Sequence, residues 1–323
     1  MKKLLSLFLA CVFVFTLSAC SVATTGAVRV GVLSGPTGMG MAKLMGDSAA
    51  GTAEDRYAFS LYANPSNLVS DLISGTIDIA ALPTNTASAL YHSTNGGVQV
   101  LAVNTLGVLH ILENGNTVNS VQDLVGKTLY ISAPGSTTEY ILRYVLVQNG
   151  IDPDRDLTIE SVPDHDTLGT MMIAGQIELC MLPQPKVSVV LMNNSAVRAA
   201  LDVNAEWEAV AEGSPVQGCL VVRTDFARKN PQTVKRFLAE YKASVDYITD
   251  TENLNAAAAA IVAAEILPNV NIAKMALPQS NIVYLDGSEM KSILSGFLAV
   301  LLAANPASIG GALPPDEFYY FAE

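Results

Sequence analysis

A set of residues recurs at a fixed offset of one hundred positions. Leu68, Gly75, Ile77, Leu82, Pro83 and Ser88 return as Leu168, Gly175, Ile177, Leu182, Pro183 and Ser188. Asp78 returns as Glu178, and Gly35 and Thr37 as Gly135 and Thr137. In each copy an apolar strand runs into a Gly/Ser/Thr-rich turn and a helix. A second helix stops at a glycine, and a short apolar strand stops at a proline. This is one βαβαβ half written twice, so the chain must build two α/β lobes. Loops at the carboxyl ends of such strands face a crevice, and a small molecule binds there.

The N-terminus has the form of an export signal. Lys2 and Lys3 precede the apolar run Leu4 to Leu17, which is too short to span a bilayer comfortably and ends in Leu17-Ser18-Ala19-Cys20. That ending resembles the lipobox of bacterial lipoproteins, in which the cysteine carries the lipid. The expected organisation is a signal at 1–20, a small polar tether at 21–26, lobe one at 27–105, lobe two at 106–215, and the rest of lobe one at 216–323. The later apolar stretch Leu294 to Ala304 is shorter than a membrane span and is interrupted by Gly296.

About 300 residues then remain, enough for two cores. Half of the residues are hydrophobic and 15% are charged, which describes a folded globular chain. The net charge of −12 argues against nucleic acid as a partner and against adhesion to anionic lipid through the protein surface. Cys180 and Cys219 both lie in apolar strands, without CxxC or metal-ligand spacing, and are expected as buried free thiols. His92, His110 and His165 are isolated. Asp164-His165-Asp166 reads as a loop and helix cap.

The expected strands of lobe one are Val28–Leu33, Tyr57–Tyr62, Ile77–Leu82 and Val98–Val103. A helix follows the turn Ser34–Gly40 as far as Leu44 or Met45, and Gly46–Asp55 is a polar loop. A second helix, Asn67–Ser74, is capped at Asn64 and closed by Gly75; a third ends at Tyr91. Gly107 precedes strand Val108–Leu112 at the first crossing. Lobe two repeats the plan with strands Thr128–Ser132, Leu157–Val162 and Ile177–Leu182 and helices Glu139–Asn149 and Thr167–Ala174. Trp207 falls in a connecting segment. The chain recrosses at Gly213–Gly218, and strand Cys219–Arg223 rejoins lobe one. The remainder is helical at Pro231–Thr249, Ala256–Leu267 and Ser288–Ala304, followed by a strap that includes Phe318-Tyr319-Tyr320.

The lipobox, Gly75-Thr76-Ile77-Asp78-Ile79-Ala80, Asp123-Leu124-Val125-Gly126-Lys127, the turn Pro134 to Thr138, and Val221-Val222-Arg223 before Asn230-Pro231 stand in a fixed order. In this the chain resembles the periplasmic solute-binding proteins of ABC importers. The resemblance is to the type 2 group associated with nitrate, sulfonate, taurine and thiamine-pyrimidine uptake. It implies two lobes crossed twice by the chain, with a ligand cleft between them. It also implies capture and delivery to a permease and its ATPase without bond-breaking chemistry or a cofactor. The chain would act as a monomer held by lipid at Cys20 on the outer face of the cytoplasmic membrane. An enzyme on the same fold, of the thiamine-pyrimidine-synthesising kind, is the alternative.

Four turns are expected at the cleft. Lobe one offers Thr37, Gly38 and Met39, then Thr84 and Asn85. Lobe two offers Ser136, Thr137 and Thr138, then Gln184. Helix N-termini in these turns present free N–H groups and partial positive charge. Each Ser or Thr is equally placed to cap its helix, and Met39 to pack in the core. No Arg lies in the four turns. An anion and a small heterocycle held by Asn, Gln and Thr, with Tyr62 and Tyr140 as candidate walls, both remain open.

Overall fold

The computed structural model describes residues 26–132 and 134–322. The signal region, Cys11, Cys20 and nearly all of the tether lie outside the described residues.

The first half contains β1 (Val28–Leu33), α1 (Pro36–Met39), α2 (Ala42–Ala50), β2 (Tyr57–Tyr62), α3 (Pro65–Ser74), β3 (Ile79–Pro83), α4 (Thr84–Ser93) and β4 (Val98–Thr105). The second contains β5 (Leu109–Asn114), β6 (Thr128–Ser132), α5 (Thr137–Gln148), β7 (Thr158–Val162), α6 (His165–Ile173), β8 (Leu179–Pro183), α7 (Lys186–Asn193), β9 (Val197–Asp202) and α8 (Val203–Glu208). Then come β10 (Gly218–Arg223), α9 (Thr224–Lys229), α10 (Pro231–Thr249), α11 (Leu254–Ala263), α12 (Val270–Ala276), β11 (Ile282–Leu285) and α13 (Gly287–Ala304).

Two mixed sheets result. One has the order β11-β4-β10-β3-β1-β2 and the other β7-β6-β8-β5-β9. Each sheet carries the same core motif. A parallel set runs second-first-third, and one antiparallel strand is inserted between third and fourth. The inserted strand is β10 in the first sheet and β5 in the second, so each follows directly on a passage between lobes. β3 and β8 have the same bounds one hundred residues apart. The repeated residues meet the same local demands in both copies. Leu68 and Leu168 are fully buried. Gly75 and Gly175 hold φ of 78° and 66°, a left-handed conformation that favours glycine after a helix. Asn64 accepts the Ser66 N–H at 2.8 Å, and Asp164 the Thr167 N–H at 2.7 Å, so each caps its helix.

One apolar cluster runs through both lobes. It joins Val100, Val103 and Val221 of the first sheet to Ile111, Leu129 and Ile131 of the second. Met290, Leu294, Phe297, Leu298 and Leu301 of α13 belong to it. Helix α13 packs on α4, β4 and α5 and so bridges the lobes. It is longer than its apolar stretch suggested, and by length and composition alone could cross a membrane; instead its buried face joins this core. The Phe297 ring centroid lies 5.6 Å from that of Trp207, which packs tilted against Tyr144 at 4.5 Å. A second cluster lies between the first sheet and α10 and α11, and a third includes Leu112, Leu168 and Cys180.

Some local expectations change, and one holds. Gly46–Asp55 is not a loop throughout, because α2 continues to Ala50. Lys43 and Asp47 pair across one turn, and Gly51 ends the helix at φ 71°. Trp207 sits in helix α8, 2% exposed, where Asp202 caps the Asn204 N–H. Strands β9 and β11 had not been anticipated. Both are sheet edges with one partner strand, so their residues lack the doubly buried pattern of a central strand. The C-terminal strap does pack back. Phe318 is fully buried and the Tyr320 N–H bonds the Val100 carbonyl at 2.9 Å.

Candidate functional site

The strand-ending turns of both lobes converge on a cleft of about 620 Å³. One side is lined by Ser34 to Thr37, Asn64, Pro65, Pro83, Asn85 and Thr86. The opposite side is lined by Pro134 to Thr138, Pro163 to His165 and Pro183 to Lys186. Thr105, Val108 and Gln217, from the two passages between lobes, form its floor. Seven of the lining residues are proline. Their fixed φ makes the walls stiff and apolar. The polar surface is mostly hydroxyl and amide, with Asp164, His165 and Lys186 as its ionisable groups.

Among the nine expected site residues, Thr37, Asn85, Ser136, Thr137, Thr138 and Gln184 line this cleft; Gly38, Met39 and Thr84 do not. Met39 is fully buried among Val30, Val32 and Leu220, with its sulfur 4.0 Å from Ser280 Oγ. Gly38 is buried and has no room for a side chain: a Cβ there would lie 2.1 Å from the Leu33 carbonyl oxygen. Thr84 is turned inward and donates to the Val216 carbonyl at 2.6 Å. Tyr62 donates to Asp71 at 2.6 Å, and the Tyr140 hydroxyl accepts from Asn305 at 2.8 Å. Neither tyrosine reaches the lining.

The two lobes touch across the cleft. Thr137 Oγ1 donates to Asn85 Oδ1 at 2.7 Å. Asn85 keeps its amide donors, and it is not a cap, since Pro83 precedes α4 as N-cap. Gln184 lies just before Pro185, the N-cap of α7, and serves the helix start from there: its Oε1 accepts from the Ser188 N–H at 3.3 Å and hydroxyl at 2.8 Å. What it retains is its own NH₂. Ser136 and Thr138 share a 2.6 Å hydrogen bond. Thr37 is fixed through its carbonyl, which accepts from Asn104 at 3.1 Å. The first turn of α4 carries no acidic residue. That of α5 carries Glu139, which is committed to the Gly135 N–H and to Arg143. Burial raises the pKa of this carboxyl, but those hydrogen bonds and the Arg143 charge outweigh it and leave it below its usual value. The first turns of α4, α5 and α7 thus line the cleft without a free carboxylate of their own to oppose their partial positive charge.

Of the lining residues outside the nine expected ones, three bear on the cleft's chemistry. His165 shares a hydrogen bond with Ser132 through Nδ1. Burial and the neighbouring Lys186 charge lower its pKa, against Asp166 and Asp164. Its position matches Pro65 in the other copy, which also lines the cleft, and that repeat is the signal that could have found it. Lys186 follows the Pro183-Gln184-Pro185 turn and pairs with Asp166. Gln217 lies in the second passage, where no motif marks it. Its Nε2 is buried and has no hydrogen-bond partner among the described residues.

Two α/β lobes with matched strand order, exchanged strands and a cleft between facing turns define the fold of the periplasmic solute-binding proteins. The comparisons with solved structures agree. An ABC transporter protein from Parabacteroides distasonis superposes with a TM-score of 0.77, at 19% identity, over 92% of this chain and 99% of that one. The periplasmic aliphatic sulphonate binding protein SsuA from Escherichia coli gives 0.73, at 16% identity, over 92% of each chain. At such identities the likeness establishes the fold alone. The chain belongs to the NMT1-like family, whose sequence profile matches residues 41–262. The nitrate/nitrite binding protein NrtA of Synechococcus elongatus is 26% identical over 125 residues, covering 39% of this chain. The match spans only 27% of that relative's length.

Proposed function

We propose that this protein is the solute-capturing component of an ABC importer. In this reading it works outside the cytoplasmic membrane, tethered by lipid at Cys20, and hands a small molecule to a permease powered by an ATPase. The cross-cleft bond between Asn85 and Thr137 carries the reading, because it lets one solute-sized cleft be closed from both lobes. The boundaries at 105–106 and 215–216 are the proposed hinge points. Cleft closure is thereby the functional event, with no bond made or broken in the solute.

The groups left over at the cleft are mostly donors: the helix N–H groups, the amides of Asn85, Gln184 and Gln217, and the Lys186 ammonium. An acceptor-rich solute fits them, either a compact anion such as nitrate or a sulfonate, or a carbonyl-bearing heterocycle. Lys186 is the one lysine or arginine in the lining, and it already faces Asp166. Singly charged or neutral solutes are therefore favoured over multiply charged ones. For the enzyme alternative, a metal would need clustered ligands. No group of three or more His, Cys, Asp and Glu is placed to hold one among the described residues.

Native mass spectrometry of protein purified from its own cells tests the reading. A small molecule should travel with the protein and leave on Asn85→Ala or Gln184→Ala substitution. Recovery of a chemically altered product from an added solute would instead support an enzyme. For the anchor, Cys20→Ala should release the protein from the membrane fraction. Unchanged membrane association would refute lipidation there.

A further inference from the structure

We propose that Gln217 is the residue with which the cleft recognises a hydrogen-bond acceptor on its solute. The inference rests on the reading of the cleft as a solute site and adds a specificity-determining residue to it. Gln217 sits on the second passage between lobes, directly before β10. Its main chain is fully employed. The N–H donates to the Thr105 carbonyl at 3.0 Å, and its own carbonyl accepts from the Thr84 N–H at 3.3 Å. The side chain is not employed. Nε2 is buried without a partner, and neither side-chain amide atom forms a hydrogen bond among the described residues. Oε1 is not among the buried atoms, so rotating the amide pairs neither atom with the protein but turns the donor to the accessible side, where a solute can meet it.

A buried donor left unmade costs stability, and folded proteins carry few of them. Four buried side-chain atoms lack partners among the described residues: His110 Nδ1, Asn204 Oδ1, Tyr241 Oη and Gln217 Nε2. Of these four residues, Gln217 alone lines the cleft. Its surroundings are also built for close approach. A Cβ at the neighbouring Gly218 would lie 2.4 Å from Thr37 Cγ2 and 2.6 Å from Asn104 Oδ1. The glycine thus lets the passage press against the Thr37 turn. An acceptor atom bound to Gln217 would sit at the floor beside Thr37, between the facing N-termini of α4 and α5. Because the Gln217 N–H holds Thr105 at the start of the first passage, that solute contact bears on both strands that link the lobes.

The test uses dialysed wild-type protein with Gln217→Leu and Gln217→Glu. Nitrate, ethanesulfonate and cytosine serve as probes of three acceptor chemistries, followed by calorimetric titration and thermal melts. A probe that binds wild type should bind Gln217→Leu at least about tenfold more weakly. Without probe, Gln217→Leu should melt at the same temperature or higher, because it removes an unpaired buried donor. Gln217→Glu should lose an anionic probe more severely than cytosine. Equal affinity in wild type and Gln217→Leu would overturn the inference, as would a lowered melting temperature with unchanged affinity. Failure of all three probes to bind wild type would also overturn it, through the acceptor chemistry it assigns. The cleft reading would then stand or fall separately, on whether a solute co-purifies with the protein.

Discussion

Asn85 and Thr137 stand 52 positions apart in the chain, on opposite walls of the cleft, and are joined by a 2.7 Å hydrogen bond. A bond between lobes exists only when the lobes are together, so it stabilises the closed form selectively. Thr137→Val removes the donor while preserving shape. It should cost the closed form about 1 kcal/mol, roughly a fivefold shift toward open. Small-angle scattering should show a larger radius of gyration for Thr137→Val than for wild type. Identical scattering curves would mean that the bond does not set the opening equilibrium.

Gln184 should behave differently, because its two ends have different tasks. Its Oε1 serves the start of α7 at Ser188, and its NH₂ is left for the cleft. Gln184→Ala should therefore cost the ~1 kcal/mol of stability typical of a lost cap, seen as a lower melting temperature, and also weaken solute binding. Gln184→Glu keeps the acceptor and should restore most of the stability but not the binding. A Glu variant that binds as wild type does would remove Gln184 from the site.

The first passage between lobes leaves no room for a side chain at Gly107. A Cβ there would lie 1.8 Å from Asn204 Oδ1 and 2.7 Å from Pro215 Cγ, on the second passage. Gly107→Ala should cost about 1–3 kcal/mol by overpacking. Asn204→Ala in the same chain should recover part of that loss, because the nearest clash is removed. Denaturant unfolding of the two single variants and the double variant measures this. Strict additivity would show that the two residues are not coupled.

Acidification should destabilise the fold before the carboxylates titrate. Burial lowers the pKa of His110, against Asp202 and the Val108 carbonyl; burial and Lys186 lower that of His165. Both therefore bind protons more weakly when folded than at the unfolded value of 6.5. Well above 6.5 neither state is protonated and the histidines contribute nothing. As pH falls through 6.5 the unfolded chain takes up protons first, and stability drops until the folded values are reached. Melting temperature should decline from about pH 7.5 to about 5.5, and His110→Gln with His165→Gln should flatten the decline. An equally steep decline in the double variant would assign it to other groups.

Cys180 and Cys219 are free and fully buried in the central strands β8 and β10. Burial pushes the Cys180 thiol up to about 12 and the Cys219 thiol higher still. A chain beginning at residue 21 should leave a thiol reagent almost unconsumed when native and consume two equivalents in denaturant. Rapid native labelling would show that one of these strands opens.

The architecture was legible wherever a residue answers to its own neighbours in the chain. Gly75 and Gly175 mark helix ends because left-handed φ is a local demand. Asn64 and Asp164 mark helix starts because a cap reaches only two or three residues ahead. Leu68 and Leu168 mark buried faces through periodicity. Hence the repeat, the two lobes and most element bounds follow from the sequence, while edge strands β9 and β11, with one partner each, leave only a faint pattern. The cleft was legible only as a set of turns. Which side chain in a turn faces outward is fixed by what packs against it from elsewhere. Ser280 and the core behind the first sheet take Met39, Val216 takes the Thr84 hydroxyl, and Asn85 meets Thr137 only because two folded lobes bring them together. Gln217 shows the limit most plainly. Nothing near it in sequence distinguishes its amide, and only the packed floor of the cleft leaves that donor without a partner.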